Sequence, residues 1–570
     1  MAKWVIAAKK ADFETIGNQF HIDPVIARIL RNRELLELEE IDNFLNGSLD
    51  RLHSPHLLKD VDLAVDKILK AIEKKQKIRV IGDYDADGVC SGYILKEGLK
   101  LLLADVDLRV PNRIKDGYGL NEGMIQEAKE AGIDMIITCD NGIAAYDAIA
   151  YANSLSMTVI VTDHHEVPFV SDENGNRCYQ TPPAYAIVNP KQEDCQYPFR
   201  GICGAFVAYK LIQALYEKVG KEVPEAFLEA AAFATICDVM ELRDENRILV
   251  KYGLAAMKHT ENLGLKALFE VCGIKMESLG TYHIGFICGP CFNATGRLDI
   301  ADRAVDLLSA RDFGEAVLIA RELKELNEQR KSMTLQGVKL AEDYITEHQI
   351  ENQNVLIIYL PECHESIAGI IAGRIKEKYY RPTIVLTNGE DCVKGSGRSI
   401  EAYDMYESLS ACKDYFLKFG GHKMAAGLSL KEENIEPLRE KLNQNCILTE
   451  EDFEEKLLID VPMPISYITE ELIEQLDLLE PFGVGNEKPV FAQKGITVLS
   501  EMRFGKEKNV GKYRISDGYC EREMVYFGDL DAFQKFYRKN SKIAIAYYPT
   551  INEFRNEKKI QVVLKAYKEV

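Results

Sequence analysis

The chain has 570 residues, of which 46% are hydrophobic and 28% are charged, and its formal net charge is −20, from 70 Lys and Arg against 90 Asp and Glu. This length exceeds what one hydrophobic core usually organises, so we expect three or four domains. No apolar run approaches the roughly 18 residues of a membrane span, so no membrane association is expected. The acidic balance argues against a protein that coats duplex DNA non-specifically, but it leaves room for nucleic acid in a local groove.

Residues 1–57 are predicted to form an N-terminal helical segment. Apolar residues recur near the helical period in Pro24–Asn32 and Leu36–Leu45. Asp23 and Pro24 suit the cap and the first position of the earlier helix.

Residues 58–300 alternate predicted helices and strands. In order, they are helix Val61–Lys74, strand Ile78–Gly82, helix Gly88–Leu103, strand Asp107–Val110, helix Asn121–Ala131, strand Met135–Cys139, helix Ala144–Ser154 and strand Thr158–Thr162. Such alternation is typical of a parallel sheet covered by helices. Because crossovers are right-handed, the carboxyl ends of these strands meet at one edge, where ligands of open α/β folds bind.

Three further regions follow along the chain. Residues 301–348 show a helical pattern without proline and are predicted to be one long connector helix. Residues 349–450 begin a second α/β unit, with strand Asn354–Leu360, helix Ile367–Tyr379, strand Thr383–Leu386 and a glycine-rich stretch at Lys394–Ser399. Residues 451–570 contain short strands, among them Ile496–Leu499, Ile543–Tyr548 and Ile560–Ala566, and are predicted to form a small β-barrel.

Acidic clusters follow several of the predicted apolar segments. They are Asp83, Asp85 and Asp87 before Gly88, then Asp140 in Asp140-Asn141-Gly142, then Asp163-His164-His165, and finally Asp238 at the end of the Ala-rich helix that begins at Glu225. Carboxylates that converge without cations repel one another, and a bound metal relieves this repulsion. Oxygen-rich sites with one imidazole suit Mn²⁺ or Mg²⁺. Asp-Gly and Asn-Gly pairs are also common turn chemistry, which is the alternative for any one cluster, but the agreement of four clusters favours a metal site.

These clusters together resemble the DHH phosphoesterase superfamily. More narrowly, the chain resembles the members of that superfamily that degrade single-stranded DNA from the 5′ end. Further blocks carry the narrower resemblance: Ile284-Gly285-Phe286, Asn293-Ala294-Thr295-Gly296-Arg297, Gly420-Gly421-His422, Ala425-Ala426-Gly427 and Pro481-Phe482-Gly483-Val484-Gly485-Asn486. The fold it implies has two α/β lobes, a DHH parallel sheet and a DHHA1 domain, joined by a long helix around a cleft, with an OB-like β-barrel alongside.

The resemblance also implies the metal site and its chemistry. Two ions of Mn²⁺ or Mg²⁺ are expected, held by Asp83, Asp85, Asp87, Asp140, His164 and Asp238. Asp140 would bridge the ions, whereas Asp83 is the ligand with the weakest support. Asp163 would orient His164 or ligate directly, and His165 would face the scissile phosphate, which makes Asp140, Asp163 and His165 the expected catalytic residues.

The resemblance assigns substrate binding to a second set of residues. Ser396 and Arg398, in the glycine-rich stretch, resemble the DHHA1 loop that holds a terminal phosphate, and an arginine with a hydroxyl and glycine amides suits that role. The full expected set is Arg113, Arg297, Arg374, Ser396, Arg398, Gly421 and His422. The alternative for each arginine is a surface or interdomain salt bridge.

The C-terminal end independently suggests single-strand binding. Residues 535–568 contain nine Lys or Arg against two Glu, with six Phe or Tyr among them. Basic groups interleaved with aromatics on strands suit phosphate contact and base stacking, although many of these aromatics could instead form barrel core.

The predicted function is therefore a metal-dependent 5′-to-3′ exonuclease of single-stranded DNA in repair and recombination. The alternatives are a DHH-family oligoribonuclease or dinucleotide phosphodiesterase, and a replication scaffold that binds single strands without cutting them. The expected partners are a 5′-ended single strand, a helicase and a single-strand-binding protein, and we expect a monomer. The fourteen scattered cysteines and the absence of a secretion signal predict a cytoplasmic location. Cys288-Gly289-Pro290-Cys291 has the spacing of a thioredoxin-like redox motif but lacks that fold's strand order, so no redox role is expected.

Overall fold

The computed structural model describes residues 2–112, 116, 119–171, 176–298, 302–505, 508–554 and 557–570. The described chain divides into two compact units. One consists chiefly of Val317–Lys456, and the other combines Trp4–Gly289 with Leu457–Val570. No helix among the described residues is both long enough and apolar enough to cross a membrane.

The N-terminal segment contains one short strand and three helices. They are β1 (Lys3–Ile6), α1 (Phe13–Phe20), α2 (Pro24–Asn32) and α3 (Leu38–Asn46). Pro24 opens α2 as predicted, and the Asp23 side chain accepts a hydrogen bond from the Val25 amide. Neither β1 nor α1 was expected from the sequence. Strand β1 pairs with β14 (Lys456–Ile459), which lies about 450 residues later in the chain.

The first α/β region follows the predicted alternation closely. Its elements are α4 (Val61–Glu73), β2 (Lys77–Ile81), α5 (Ala86–Lys100), β3 (Asp105–Arg109), α6 (Glu122–Glu130), β4 (Met135–Cys139), α7 (Tyr146–Ser154), β5 (Thr158–Thr162), β6 (Phe169–Ser171), β7 (Arg177–Tyr179) and β8 (Ala186–Val188). The sheet has the order β3-β2-β4-β5-β8, and every neighbouring pair is parallel. Strands β2, β4 and β5 are almost wholly buried, which fits their runs of Ile and Val.

Helices then dominate up to residue 347. They are α8 (Gly204–Val219), α9 (Glu225–Cys237), α10 (Asp244–Met257), α11 (Leu263–Val271), α12 (Thr281–His283), a π-helical turn (Ile284–Cys288), α13 (Gly289–Leu298), α14 (Asp302–Ser309) and α15 (Phe313–Glu347). The expectation of a single helix over residues 301–348 is wrong. Asp312 lies between the two pieces and caps the second, because its side chain accepts a hydrogen bond from the Glu315 amide.

The second α/β region forms a mixed sheet. Its elements are β9 (Leu356–Tyr359), α16 (Glu365–Tyr379), β10 (Thr383–Asn388), β11 (Val393–Arg398), α17 (Met405–Ser410), β12 (Phe416–His422), β13 (Ala425–Leu430) and α18 (Ile435–Asn445). The sheet order is β12-β13-β11-β10-β9. The glycine-rich stretch that was expected to be a loop is strand β11, which pairs antiparallel with β10 and β13.

The C-terminal region is a closed barrel. Its elements are β15 (Val461–Pro462), α19 (Glu470–Asp477), β16 (Phe491–Phe504), β17 (Val510–Ser516), β18 (Glu521–Tyr526), α20 (Leu530–Lys539), β19 (Ile543–Phe554) and β20 (Glu557–Glu569). Pairing of β16 with β19 closes the ring. The barrel core includes Phe491, Tyr513 and Tyr547, so part of the C-terminal aromatic content is structural.

Candidate functional site

The acidic clusters meet at the carboxyl edge of the first parallel sheet. Asp83 follows β2, Asp140 follows β4 and Asp163 follows β5. Asp140 adopts a left-handed backbone conformation with φ of 59°, a sparsely populated region for a residue other than glycine, and its amide donates to the Thr162 carbonyl. The turn after β4 therefore holds this carboxylate in a defined position.

Ligand atoms in this cluster form three overlapping groups, in each of which all atoms lie within 4.8 Å of one another. The groups are Asp140 with His164 and His165, then Asp87 with His164 and Asp238, and finally Asp83 with Asp85 and Asp140. Every residue predicted to hold or serve a metal, apart from Asp163, belongs to at least one of these groups.

Backbone amides at helix starts hold two of these carboxylates. Asp85 caps α5 by accepting hydrogen bonds from the amides of Asp87 and Gly88 at 3.0 and 3.1 Å. Both carboxylate oxygens of Asp87 accept from the first turn of α8, from the amides of Gly204 and Ala205, each at 2.7 Å. A helix start favours negative charge, so α8 fixes Asp87 beside the site.

The His164 imidazole lies among three carboxylates. Its Nε2 atom is 3.0 Å from an oxygen of Asp140, 3.6 Å from Asp87 and 3.7 Å from Asp238. The ring is buried, and burial lowers the pKa of His164 despite these neighbours. A neutral imidazole in this position is suited to metal ligation.

Asp163 holds His165 rather than His164. One of its oxygens accepts from the amides of His164 and His165 and lies 2.8 Å from Nδ1 of His165, and the other accepts from the Ile143 amide. The sequence expectation that Asp163 orients His164 therefore differs from the side-chain contacts. Both side-chain oxygens of Asp163 already accept hydrogen bonds, and the side chain that they contact is that of His165.

The buried charges of the site fit a divalent cation. Burial raises the pKa of the Asp140 carboxyl well above its usual range, and neighbouring carboxylates raise it further. Burial, then the charges of Asp87 and Asp85, raise the pKa of Asp238 to about 8. Burial would lower the pKa of His165, but its contact with Asp163 and the other carboxylates raise it to about 9. A cation at these oxygens would relieve the repulsion that contributes to these shifts, and oxygen ligands with one imidazole suit Mn²⁺ or Mg²⁺.

The compact unit that consists chiefly of Val317–Lys456 carries a separate cluster of polar and basic side chains. Arg297 donates from a terminal nitrogen to the Ser366 carbonyl at the start of α16, at 2.6 Å. A terminal nitrogen of Arg398 lies 3.2 Å from the Ser396 hydroxyl on the same strand, β11. A Cβ atom on Gly369, in α16, would approach both the Ser396 hydroxyl and the Arg398 guanidinium to within 2.8 Å. The first turns of α16 and the end of β11 therefore form a compact cradle with two arginines and a hydroxyl, which suits an anion.

The other predicted substrate residues have different surroundings. Arg374 is an exposed residue of α16, 3.4 Å from the Glu377 carboxylate, which matches the surface ion pair considered as its alternative. Gly421 and His422 lie at the end of β12 in the hairpin with β13, and both are exposed. Arg113 lies outside the described residues.

Sequence reasoning missed several groups that build the metal cluster. Asn141 donates to the carbonyls of Ile81 and Cys139 and so ties together the ends of β2 and β4. Gly204 packs against Asp140, since a Cβ atom there would lie 2.7 Å from the Cβ of Asp140. The role of the Gly204 and Ala205 amides leaves no side-chain signal, whereas Asn141 was visible only as part of a turn pair.

The Cys288–Cys291 motif is part of the helical packing. Both thiols are buried, Cys288 in the π-helical turn and Cys291 in α13. The Asn327 side chain donates to the Cys291 sulfur at 3.6 Å. All fourteen cysteines are thiols rather than disulfides.

Sequence models of three domain families match the chain. They are the DHH family, N-terminal domain, over residues 77–235, the DHHA1 domain over residues 352–447 and the RecJ OB domain over residues 459–566. The chain is 36% identical to a Bacillus subtilis protein named single-stranded-DNA-specific exonuclease RecJ, over 99% of this chain and 70% of that protein. It is 32% identical to the Haemophilus influenzae protein of the same name, over 96% of this chain and 97% of that protein.

Two solved structures of RecJ proteins are also similar to this chain. The crystal structure of RecJ from Thermus thermophilus in complex with Mn²⁺ matches with a TM-score of 0.83 and 26% identity, over all of this chain and 80% of that chain. The Mg²⁺ complex of RecJ from the same organism matches with a TM-score of 0.79 and 25% identity, over all of this chain and 78% of that chain.

Proposed function

The chain belongs to the RecJ family of single-stranded-DNA-specific exonucleases, and on this basis we propose that it degrades single strands from the 5′ end in DNA repair and recombination. It is a hydrolase of phosphodiester bonds whose cofactor is Mn²⁺ or Mg²⁺. We place its active site at the carboxyl edge of the first sheet, because three overlapping groups of ligand atoms lie there.

The proposed metal ligands are the residues that converge at this edge. They are Asp83, Asp85, Asp87, Asp140, His164 and Asp238. Two bound ions would activate a water molecule and stabilise the leaving oxygen of a phosphodiester. Asp140 is the proposed bridge between the ions, because among the described residues it is the one carboxylate that belongs to two of the three ligand groups.

His165 is the proposed group that faces the scissile phosphate. Its side chain is 40% exposed, whereas that of His164 is 9% exposed, so His165 is the more accessible of the two. The pKa of about 9 favours the charged imidazolium, which attracts a phosphate and can donate a proton to a leaving oxygen. Asp163 keeps this ring in place through Nδ1.

The proposed terminal-phosphate pocket is the cradle of Arg297, Ser396 and Arg398. Two guanidinium groups and a hydroxyl supply directed donors, and the start of α16 adds a favourable helix end. Capture of a 5′-phosphate there would select the end from which the strand is degraded. Gly421, His422, Arg374 and Arg113 remain proposed contacts with the rest of the strand.

The closed barrel is proposed to bind single-stranded DNA, and its match to the RecJ OB domain supports this role. We further propose that a helicase and a single-strand-binding protein supply the strand, and that the protein acts as a monomer. A cytoplasmic location is proposed as well, in keeping with its fourteen thiols.

We also propose the domain limits 1–57, 58–300, 301–348, 349–450 and 451–570, because the three family matches fall within the second, fourth and fifth of these ranges.

Two other activities are less well supported. A phosphodiesterase of dinucleotides has no evident use for the C-terminal barrel that this chain carries. A scaffold that binds without cutting has no need of the complete carboxylate set at the sheet edge.

An end-labelled cleavage assay tests the proposed function. Purified protein with Mn²⁺ is offered long single strands labelled at the 5′ or the 3′ end, the matching duplex, and a dinucleotide. We expect label to leave first from the 5′ end of single strands. Asp140→Asn and His164→Ala should each lower the rate more than about 100-fold, since even outer partners of metal ligands often cost about 10- to 100-fold.

A matched variant controls for loss of surface charge in this assay. Asp147→Asn changes an exposed carboxylate in α7, near Asp140 in sequence, and should leave the rate unchanged. Turnover of dinucleotides alone, release of the 3′ label first, or full activity in Asp140→Asn would contradict the proposal.

A further inference from the structure

A cavity of about 470 Å³ lies beside the end of α9. Cys237 and Val239, the two neighbours of Asp238 in the chain, both line it. It is also lined by Tyr282 from α12, by Phe286 from the π-helical turn that follows, and by Phe482 from the turn between α19 and β16. The lining of the cavity therefore includes both sequence neighbours of Asp238, a proposed metal ligand.

Two aromatic rings in this cavity form an exposed platform. The rings of Tyr282 and Phe286 stack with their centroids 5.3 Å apart and their planes 25° from parallel. Tyr282 is 64% exposed and Phe286 is 71% exposed. Large apolar side chains usually lose such exposure on folding, so a stacked pair left in solvent is a candidate contact for a ligand with a flat apolar face.

The platform is held firmly against the metal site and the barrel. The Thr281 hydroxyl donates to the Phe482 carbonyl at 2.8 Å, which ties the start of the helical segment to the turn. Gly289, just after the π-helical turn, packs on Cys237 so closely that a Cβ atom there would collide with the Cys237 sulfur. π-helical turns occur frequently at functional sites, and here the turn carries Phe286.

The charges at the cavity favour an uncharged occupant. One acidic and one basic residue, Glu487 and Lys488, line it. The Lys488 ammonium lies 3.9 Å from the centre of the Tyr548 ring and 5.9 Å from that of Phe482, so its charge is already partly satisfied by aromatic faces. An acidic peptide segment would be repelled by Glu487, and Lys488 already contacts aromatic rings. A nucleobase instead offers a π-face and carries no charge.

We propose that Tyr282 and Phe286 form a base-stacking subsite for a nucleotide of the single strand next to the one being cleaved. This inference rests on the proposed function, because it takes its position from Asp238 as a metal ligand. Stacking on the pair would hold the strand by a base face that all four bases share, so it gives affinity without sequence preference.

A comparison of strands with and without bases tests the subsite. Binding is measured by fluorescence anisotropy in the full-length Asp140→Asn protein, so that cleavage does not interfere. The probes are a 5′-phosphorylated oligothymidylate and an abasic strand of the same length. The double variant Tyr282→Ala/Phe286→Ala should bind the oligothymidylate on the order of 10-fold more weakly, in line with the loss of base stacking, and the abasic strand less than about twofold more weakly.

Two further variants keep the result interpretable. Phe286→Trp retains a ring face and should keep most of the affinity for the oligothymidylate. Tyr185→Ala removes an aromatic ring that is 44% exposed, lies just before β8 rather than in the barrel, and is outside the lining of the cavity, so it should change neither affinity. Thermal unfolding of each variant checks folding, and little loss is expected because both platform rings are exposed.

Three results would overturn the subsite. They are an unchanged affinity of the double variant for the oligothymidylate, an equal loss for both strands, and a loss in Phe286→Trp as large as that in the double variant. An unchanged affinity would leave the cavity to a segment of another protein. Residual cleavage by Asp140→Asn would instead count against the proposed metal site, while the binding comparison would still decide the subsite.

Discussion

At the residue scale, the two neighbouring histidines of the site differ in their partners. His164 is buried with Nε2 among carboxylates, and His165 is half-buried with Nδ1 against Asp163. The two are adjacent in sequence, yet burial lowers one pKa and carboxylate contact raises the other. One ring is thereby suited to a cation and the other to a phosphate.

Asp163→Asn separates a positioning residue from a metal ligand. We expect Mn²⁺ affinity, measured by isothermal titration calorimetry, to fall less than about 10-fold, because the Asp163 oxygens serve the amides and His165. The maximal rate of strand cleavage should fall about 10- to 100-fold, the usual cost of an outer partner. A loss of Mn²⁺ affinity as large as that of Asp140→Asn would show instead that Asp163 ligates directly.

At the element scale, the first turn of α8 acts as part of the site. Its amides hold Asp87, and Gly204 lies against Asp140. The sequence places α8 more than 60 residues after Asp140, so only the packing of the helix on the sheet brings these groups together. The site formed by the carboxylates at the strand ends is thus completed by a helix that carries none of the proposed ligands.

Gly204→Ala tests this use of α8. The new Cβ would lie 2.7 Å from the Cβ of Asp140, closer than van der Waals contact allows, so either α8 or the turn after β4 must shift. We expect Mn²⁺ affinity to fall on the order of 10-fold or more, since the cost is that of disturbing an outer partner.

Gly373→Ala is the matched control for this change. Gly373 lies within α16, and apart from its chain neighbours and its own helix backbone, no atom of the described residues lies within 4 Å of the position that its Cβ would take. Alanine is better than glycine in a helix by about 0.5–1 kcal/mol, so this variant should be slightly more stable and should keep its Mn²⁺ affinity. Equal affinities in both variants would contradict the role given to α8.

At the scale of the whole molecule, the N-terminal segment is part of the barrel's core. Ile26, Leu30 and Phe44 from the first 57 residues pack in one cluster with barrel residues such as Phe491 and Tyr547. The two ends of the chain therefore fold together, although sequence patterns gave no sign of the pairing. Unfolding of either end should expose the other.

Arg247 connects these distant segments. Its buried guanidinium donates to the carbonyls of Phe44, Leu478 and Leu479, each at 2.9 Å, and lies over the Phe44 ring. Burial lowers the pKa of Arg247 to about 9, which reflects how far the group is removed from water. Its removal would leave the three carbonyls, two of which belong to buried residues, without this donor.

Arg247→Met should destabilise the protein by about 3 kcal/mol or more, since three carbonyls lose their donor and each buried group left unsatisfied costs about 1–3 kcal/mol. Thermal unfolding measures the loss, and hydrogen exchange should rise in α3 and α19. Arg243→Met is the control, because Arg243 is 40% exposed and donates to the Gly485 carbonyl at 3.2 Å. A shift no larger than about 1 kcal/mol is expected for it. Equal shifts in the two variants would rule out the connecting role of Arg247.

The sequence by itself determined the first sheet and the convergence of Asp83, Asp140 and Asp163 at its edge. Hydrophobic periodicity and turn residues are local signals, and the handedness of crossovers converts them into one common edge. Tyr146–Ser154 and Thr158–Thr162 are helix and strand as that pattern predicts, within two residues at each end. The family resemblance supplied the remaining proposed ligands and the predicted function.

Only the tertiary structure decided which groups support those proposed ligands and that the N-terminal segment packs into the barrel's core. Three sets of contacts depend on packing. They are those of Gly204 with Asp140, of Arg247 with the carbonyls of Phe44 and Leu479, and of the stacked Tyr282 and Phe286 with the other residues that line their cavity. Most of these contacts join residues more than 60 positions apart, and several use backbone atoms that every residue carries. No local pattern encodes such contacts, because they depend on how completed elements pack against one another.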